Sequence, residues 1–380
     1  MQVLTDLAER PVAKPTDDPV SALKDAIMRT VGTPAVVVDL AVVDANVARL
    51  QAACDAANIA NRPHMKTHKS KAFARAQIAA GAIGLACQKL GEAEAMLDAG
   101  VTDLMVCTNI LGAARCGRLT AVLARPDASG LKLAADSAAT LAAYAQAGRD
   151  AGRPVRVMVE CDTGRSRAGV VTPTEAATLA KIAANDPSLS FAGLMMYPSG
   201  ADWERDQAFL DDTLALLADA GLTAEIISTG GTPNLSALGK LKGTTEHRSG
   251  TSIFNDRMMV AAGAASEADC ALIVYSAVVS RAEADRGILD AGSKTLTSDR
   301  GGLTGHGLIL EYRDAVITHF SEEHGQMDLS ACADRPEVGE VVRVVPNHVC
   351  VVVNMVDQLV AVRDGAIVGV IPVDARGALV

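Results

Sequence analysis

The sequence predicts a (β/α)8 barrel of the TIM type followed by an antiparallel β domain, an α/β plus β chain, and three observations carry that expectation. Short apolar runs alternate with Ala-rich stretches of helical spacing from about residue 35 to residue 256, the pattern of parallel strands joined by right-handed helical crossovers. Glycine-rich turns come late in that series, at 229–232 and 249–252, and no GxGxxG follows its first strand. An open dinucleotide fold needs glycines early, whereas barrels bind phosphate after their seventh and eighth strands. Past about Ala261 the strands continue and the helices stop.

Taken in order, residues 1–30 read as a polar arm with Pro11, Pro15 and Pro19 and a short helix near 21–29. Strands are expected at 35–39, 63–66, 83–88, 104–108, 131–134, 155–160, 191–197, 226–229 and 246–249, and helices at 44–57, 72–80, 91–99 and 137–147. The barrel domain then spans 31–262, with the strand at Ala35 available to the β domain. Residues 263–380 hold strands at 272–280, 286–290, 308–312, 315–320, 340–345, 349–353, 358–363 and 366–372, the last two joined by an Asp364-Gly365 hairpin turn.

Composition narrows the function. Hydrophobic residues make up 49% and aromatics 3%, so the core is built from Ala, Val, Leu and Ile. A formal net charge of -10 argues against nucleic acid or an anionic membrane as partner and for a small-molecule enzyme. Eight cysteines without a CxxC, and no basic-then-apolar leader, predict a soluble cytoplasmic protein with reduced thiols.

The chemistry concentrates in Arg62-Pro63-His64-Met65-Lys66-Thr67-His68-Lys69. A lysine at a strand end in a dry mouth loses its preference for the ammonium form and becomes a nucleophilic amine. Lys66 is that candidate, against the alternative of two solvated lysines, Lys66 and Lys69. Thr229, Gly230, Gly231, Gly250, Thr251 and Ser252 offer backbone N–H groups and hydroxyls for an anion. His348 and Cys350 fall two apart at the start of an expected strand, which puts imidazole and thiol on one face. They are either the start of a divalent metal site or core residues.

The runs RPHMKTHK, DTGRSRAGV, STGGT, HRSGTSIFND, LDAGSK, SEEHG and PNHVC together resemble the D-threonine aldolase and D-serine dehydratase family, the alanine racemase-like, fold type III pyridoxal phosphate enzymes. The resemblance extends from about Gly32 to Gly377. It implies that Lys66 carries pyridoxal 5'-phosphate as a Schiff base, and that Arg167 bonds the ring oxygen. Gln88 and Tyr197 join the cofactor set, and His64 and Tyr197 join Lys66 in catalysis. It also implies that His348 and Cys350 hold Mn, Mg or Zn, that the substrate is a D-amino acid with a β-hydroxyl, and that a second subunit completes a homodimer.

Two departures bear on the reaction. His-x-Cys stands where aldolases of the family often have His-x-Asp, and Pro198 follows Tyr197 where a histidine is typical. The expected reaction is retro-aldol cleavage of D-threonine to glycine and acetaldehyde. The alternative is dehydration of D-serine or D-threo-3-hydroxyaspartate. A racemase would need Tyr275 or Tyr312 as its second acid or base, and a non-catalytic cofactor carrier would need only the barrel. Were Cys350 a core residue, the metal would be sought at His324 in the 321–325 turn.

Overall fold

The computed structural model describes residues 18–380, so the expected arm with Pro11 and Pro15 lies outside the described residues. The chain runs α1 (Pro19–Thr30), β1 (Ala35–Asp39), α2 (Leu40–Ala56), β2 (Ala60–Asn61), α3 (Lys71–Ala79), β3 (Leu85–Cys87), α4 (Leu90–Asp98), β4 (Leu104–Val106), α5 (Ala113–Leu123), β5 (Lys132–Ala135), α6 (Ala138–Ala151), β6 (Val155–Cys161), α7 (Pro173–Asn185), β7 (Leu189–Met196), α8 (Trp203–Asp219), β8 (Ile226–Gly230) and β9 (Glu246–Arg248). It continues with α9 (Arg257–Ala261), β10 (Leu272–Glu283), β11 (Arg286–Leu289), α10 (Ser293–Leu296), β12 (Gly307–Ile309), β13 (Val316–Phe320), β14 (Gly325–Asp328), β15 (Val341–Pro346), α11 (Val349–Asn354), β16 (Gln358–Arg363) and β17 (Ala366–Pro372). Two compact units result. The barrel unit holds Val47–Gly250 and Gly377–Val380, and the β unit holds the described residues up to Asn46 with Thr251–Arg376. The barrel unit is shorter than the expected 31–262 because β1 pairs with β10 and β16 of the β unit.

In the barrel unit eight parallel strands lie in the order β2-β9-β8-β7-β6-β5-β4-β3. The ring closes through the segment after β2. His64 pairs with Ala86 of β3, and Ala86 N–H and C=O bond Pro63 C=O and Met65 N–H at 2.9 and 2.8 Å. On its other side His64 N–H reaches Ser249 C=O at 2.8 Å. The expected strand at 63–66 thus ends at His64, and Met65 to His68 form a turn. Inside the ring Ala86, Met105, Cys107, Ala134, Met158, Ala192 and Met195 pack together, unbranched methionines filling irregular space between small residues.

At the strands' N-terminal ends a buried ionic set ties the ring. Arg62, 1% exposed, bonds Glu246 at 2.8 Å and Asp103 at 2.6 Å, and Lys132 bonds Asp103 at 2.7 Å. Burial works against charge on Arg62, and the two carboxylates outweigh it and raise its pKa. Part of the charge density of 62–69 is therefore architectural.

The β unit's sheet runs β13-β14-β11-β10-β1-β16-β17, with β15 pairing both β10 and β12. Leu23 and Ile27 of α1 pack on Ala35, Val37, Tyr275, Val341, Val360 and Val362. The Asp364-Gly365 turn is as expected, both residues having positive φ, 52° and 74°. Three features differ from expectation. Strand β14 was not foreseen, α10 interrupts a stretch expected to hold no helix, and 349–353, expected as a strand for its valines, is helix α11. Its first N–H is accepted by Asp256 at 3.1 Å, so a tertiary contact overrides local β preference. Among the described residues no helix is long and apolar enough to cross a membrane.

Candidate active site

Lys66 sits in the turn that follows the ring-closing pair, at the C-terminal end of the barrel where TIM-type active sites form. It is half-buried, and among the described residues no carboxylate pairs with it. Lys69 differs. Its Nζ bonds buried Glu92 at 2.8 Å, so it is not available as a free amine.

His64 holds the turn from beneath. Gln88 donates its amide N–H to Cys107 C=O at 2.9 Å, which leaves Gln88 Oε1 to accept from His64 Nε2 at 3.3 Å. His64 Nδ1 then accepts the N–H of Lys66 at 3.4 Å. Burial first, then the charges of Lys66 and Arg248, push the His64 pKa well below 6.5. A neutral imidazole with its hydrogen on Nε2 fits all three facts. Gln88 is itself fixed, its own N–H bonding Glu92 at 2.6 Å.

Tyr197 follows β7 and is gripped from two sides. The guanidinium of Arg165 lies 3.8 Å from the ring centroid, while Arg165 Nε and a terminal nitrogen donate to the carbonyls of Tyr197 and Pro198 at 3.2 and 3.0 Å. On the other side is Gly231, with φ +110°, where a Cβ would stand 2.4 Å from the ring. Arg167 is 5.3 Å from the same ring and 3.7 Å from Glu160, with its own side chain 52% exposed.

The glycine turns are less free than their sequence implies. Gly231 N–H is spent on Arg248 C=O at 2.8 Å, so Gly231 serves as the contact surface for Tyr197 and not as an anion donor. Gly230 lies so close to the Arg248 carbonyl that a Cβ would be 2.8 Å from it, and one on Gly250 would be 2.8 Å from Thr67 Oγ1. Thr229 Oγ1 is 3.4 Å from His247 Nδ1, and His247 Nε2 is buried without a partner. Thr251 opens a short 3-10 helix with buried Ser252.

In the β unit His348 is the N-cap residue of α11 and not part of a strand. Strand alternation therefore does not bring His348 and Cys350 together, yet at the start of α11 the two side chains hydrogen-bond. Thr251 Oγ1 is 3.9 Å from Cys350 Sγ, and Asp256 is 3.0 Å from His348 Nδ1. Burial opposes charge on His348, but the bonds to Asp256 and Cys350 outweigh it and push its pKa up to about 10. His324, by contrast, is exposed in the β13–β14 turn. Tyr312 donates its hydroxyl to Glu340 at 2.8 Å, and Tyr275 is buried.

Residues 38–258 match the alanine racemase N-terminal domain, and residues 271–362 match a serine dehydratase domain. The chain is 32% identical to a D-threonine aldolase of Arthrobacter sp, over 99% of this chain and 98% of that one. The chain belongs to the D-threonine aldolase and D-serine dehydratase family of fold type III pyridoxal phosphate enzymes. Within that family it is also 33% identical to the D-threo-3-hydroxyaspartate dehydratase of Delftia sp. (strain HT23), over 86% of this chain and 93% of the other. The crystal structure of D-threonine aldolase from Filomicrobium marinum matches with a TM-score of 0.83 at 29% identity, covering 92% of this chain and 96% of that one. A Cys-to-Ala variant of D-threo-3-hydroxyaspartate dehydratase, solved in a metal-free form, matches at 0.80 and 29%, covering 90% and 97%.

The barrel's residues fit the family's cofactor. An amine without a carboxylate partner among the described residues stands at the C-terminal end, and the glycines at β8 and after β9 let Arg248, Tyr197 and Thr67 pack closely around that end. At α11 an imidazole whose Nδ1 is taken by a carboxylate stands beside a thiol, two donors of the kind that hold divalent cations, and among the described residues no group of three or more His, Cys, Asp or Glu side chains converges on a metal position. Sequence reasoning missed Arg165, Arg248 and Asp256. Arg248 is buried, bonding the Ser228 hydroxyl and, at 2.9 Å, Met196 C=O. All three stand inside the family-like runs DTGRSRAGV and HRSGTSIFND, which was the available signal.

Proposed function

We propose that this chain is a pyridoxal phosphate- and divalent-metal-dependent carbon–carbon lyase that splits D-β-hydroxy-α-amino acids, D-threonine giving glycine and acetaldehyde. The observation that carries the reading is Lys66, a half-buried amine at the C-terminal end of the ring-closing segment with no carboxylate partner among the described residues. When bound, pyridoxal phosphate supplies an electron sink for the pair left on the substrate's α-carbon.

The chain supplies the rest. Lys66 attaches the cofactor and moves protons at the α-carbon. His64 and Gln88 keep the lysine turn in register, Arg167 would bond the cofactor's ring, and Thr229, Gly230, Gly250, Thr251 and Ser252 would hold its phosphate. His348 and Cys350 would hold the cation that acts as Lewis acid on the β-hydroxyl. A base takes the hydroxyl proton, the α,β carbon bond breaks, the aldehyde leaves, and the α-carbon takes a proton to become glycine. With Pro198 after Tyr197, where a histidine is typical of the family's aldolases, the base that takes the hydroxyl proton is supplied from elsewhere. The active species is a cytoplasmic homodimer in this reading.

Cys350 favours a second reading. A thiolate ligand suits zinc, whereas carboxylate suits manganese or magnesium, and the relative described in a metal-free form on loss of a cysteine is a dehydratase. In dehydration Lys66 takes the α-proton and the β-hydroxyl departs as water. Supplying D-threonine and D-serine to the cofactor-loaded protein separates the two. Glycine with acetaldehyde supports the lyase of carbon–carbon bonds; ammonia with a 2-keto acid replaces it by the dehydratase.

A further inference from the structure

Asp256 is fully buried and makes three contacts with two oxygens. Oδ1 accepts the N–H of Met259 at 2.9 Å and closes the first turn of α9. Oδ2 accepts the N–H of Val349 at 3.1 Å and stands 3.0 Å from His348 Nδ1. Both carboxylate oxygens already accept backbone donors, so in the contact with the imidazole it is Nδ1 that donates. A neutral His348 with its hydrogen on Nδ1 has its free lone pair on Nε2.

We propose that Asp256 is the positioning residue of the divalent-metal site. It fixes the tautomer and ring orientation of His348 so that Nε2 is the nitrogen offered to the cation. One side chain thereby joins the starts of two helices, α9 and α11, to the ligand they flank. A carboxylate behind a ligating imidazole fixes the ring and raises its basicity, and losing such a partner costs about 10–100-fold in metal affinity. The inference rests on the reading of His348 as a metal ligand.

A purely structural Asp256 would only cap the two helices, and the two roles separate in variants. Serine is a good N-cap, so Asp256→Ser keeps the bond to Met259 N–H but gives up the acceptor for Val349 N–H together with the carboxylate at His348. Asp256→Asn keeps the size and replaces one acceptor by a donor. Zn²⁺ and Mn²⁺ are titrated into the cofactor-loaded, chelator-treated protein, with thermal unfolding of the metal-free form as the folding control. The expected result is a loss of affinity of about 10–100-fold in both variants, with a cooperative but lowered metal-free Tm in Asp256→Ser from the lost Val349 bond. Repeating Asp256→Ser on a His348→Ala background is expected to change affinity no further. Unchanged affinity with a lowered Tm, or an equal loss on the His348→Ala background, overturns the positioning role. If the parent and His348→Ala bind metal equally, the ligand reading itself fails, a result visible without any change at Asp256.

Discussion

Lys69 Nζ and Glu92 Oε1 meet at 2.8 Å in an ion pair whose side chains are 5% and 2% exposed. The other oxygen of Glu92 accepts the N–H groups of Gln88 and Lys89 at 2.6 and 3.3 Å, so the pair ties the lysine turn to the start of α4. Two lysines three residues apart therefore have opposite roles, one locked and one available.

The first prediction follows from that contrast. Lys69→Met leaves Glu92 charged, buried and unpaired, and is expected to destabilise the fold by about 3–5 kcal/mol, measured by urea unfolding. Lys66→Ala is expected to leave stability nearly unchanged and to abolish the visible absorbance of lysine-bound cofactor together with turnover. Borohydride reduction and peptide mapping check it, and cofactor fixed to Lys69 or Lys89 would refute the assignment.

A second prediction concerns Tyr197. Gly231→Ala puts a Cβ 2.4 Å from its ring at φ +110°, and neither the ring, held by Arg165, nor the β8 backbone can yield easily. Overpacking of this kind costs about 1–3 kcal/mol, and weaker cofactor retention is expected beside it. Gly239→Ala is the control, since φ there is also positive but no atom lies within 4 Å of the added Cβ. Equal effects of the two substitutions would show that backbone strain alone, and not the Tyr197 contact, explains the loss.

The barrel was legible because its signal is repetitive. Most of its strands are short apolar runs buried on both faces, and Leu85–Cys87 and Leu104–Val106 are buried at every position. Lys66 and His64 could be nominated because the run RPHMKTHK contains them, whereas Gln88 stands outside every such run. What was not legible depended on contacts distant in sequence. The valines of 349–353 were expected as strand because the Asp256 bond to Val349, 93 residues away, has no local trace. The bond of Gly231 N–H to Arg248 C=O was not legible because a glycine turn in sequence does not show which of its N–H groups are already taken.

A third prediction concerns acid. Burial, then the charge of Arg248, depresses the His247 pKa from 6.5 to about 4, and His64 is lowered in the same direction. The unfolded chain binds these protons more readily than the folded one, so their contribution is present in full above pH 6.5 and is lost as pH falls towards 4. For His247 this amounts to about 3 kcal/mol. Asp103, whose pKa is lowered from 3.8 by Arg62 and Lys132 in spite of burial, responds only below that window. Urea midpoints are expected to fall between pH 6.5 and 4.5, and less steeply in His247→Gln. A flat profile over that range would contradict the neutral, buried state of both imidazoles.

The last prediction concerns Cys350. If His348 and Cys350 hold one divalent ion, chelation is expected to remove turnover while the absorbance of cofactor bound to Lys66 persists, because that absorbance requires only the lysine, which belongs to the barrel unit. Activity then returns with added metal. Cys350→Asp keeps an anionic ligand but exchanges sulfur for oxygen, so it is expected to shift preference from zinc towards manganese or magnesium and to retain the site. Cys350→Ala removes the ligand and is expected to lower both metal content and rate. Metal analysis of the three proteins beside kcat and KM decides the matter. Unchanged metal content and turnover in Cys350→Ala would make Cys350 a packing residue. The ion would then have to be sought elsewhere, with exposed His324 the next histidine to test, since its neighbour Glu323 is paired with Lys294 at 2.7 Å.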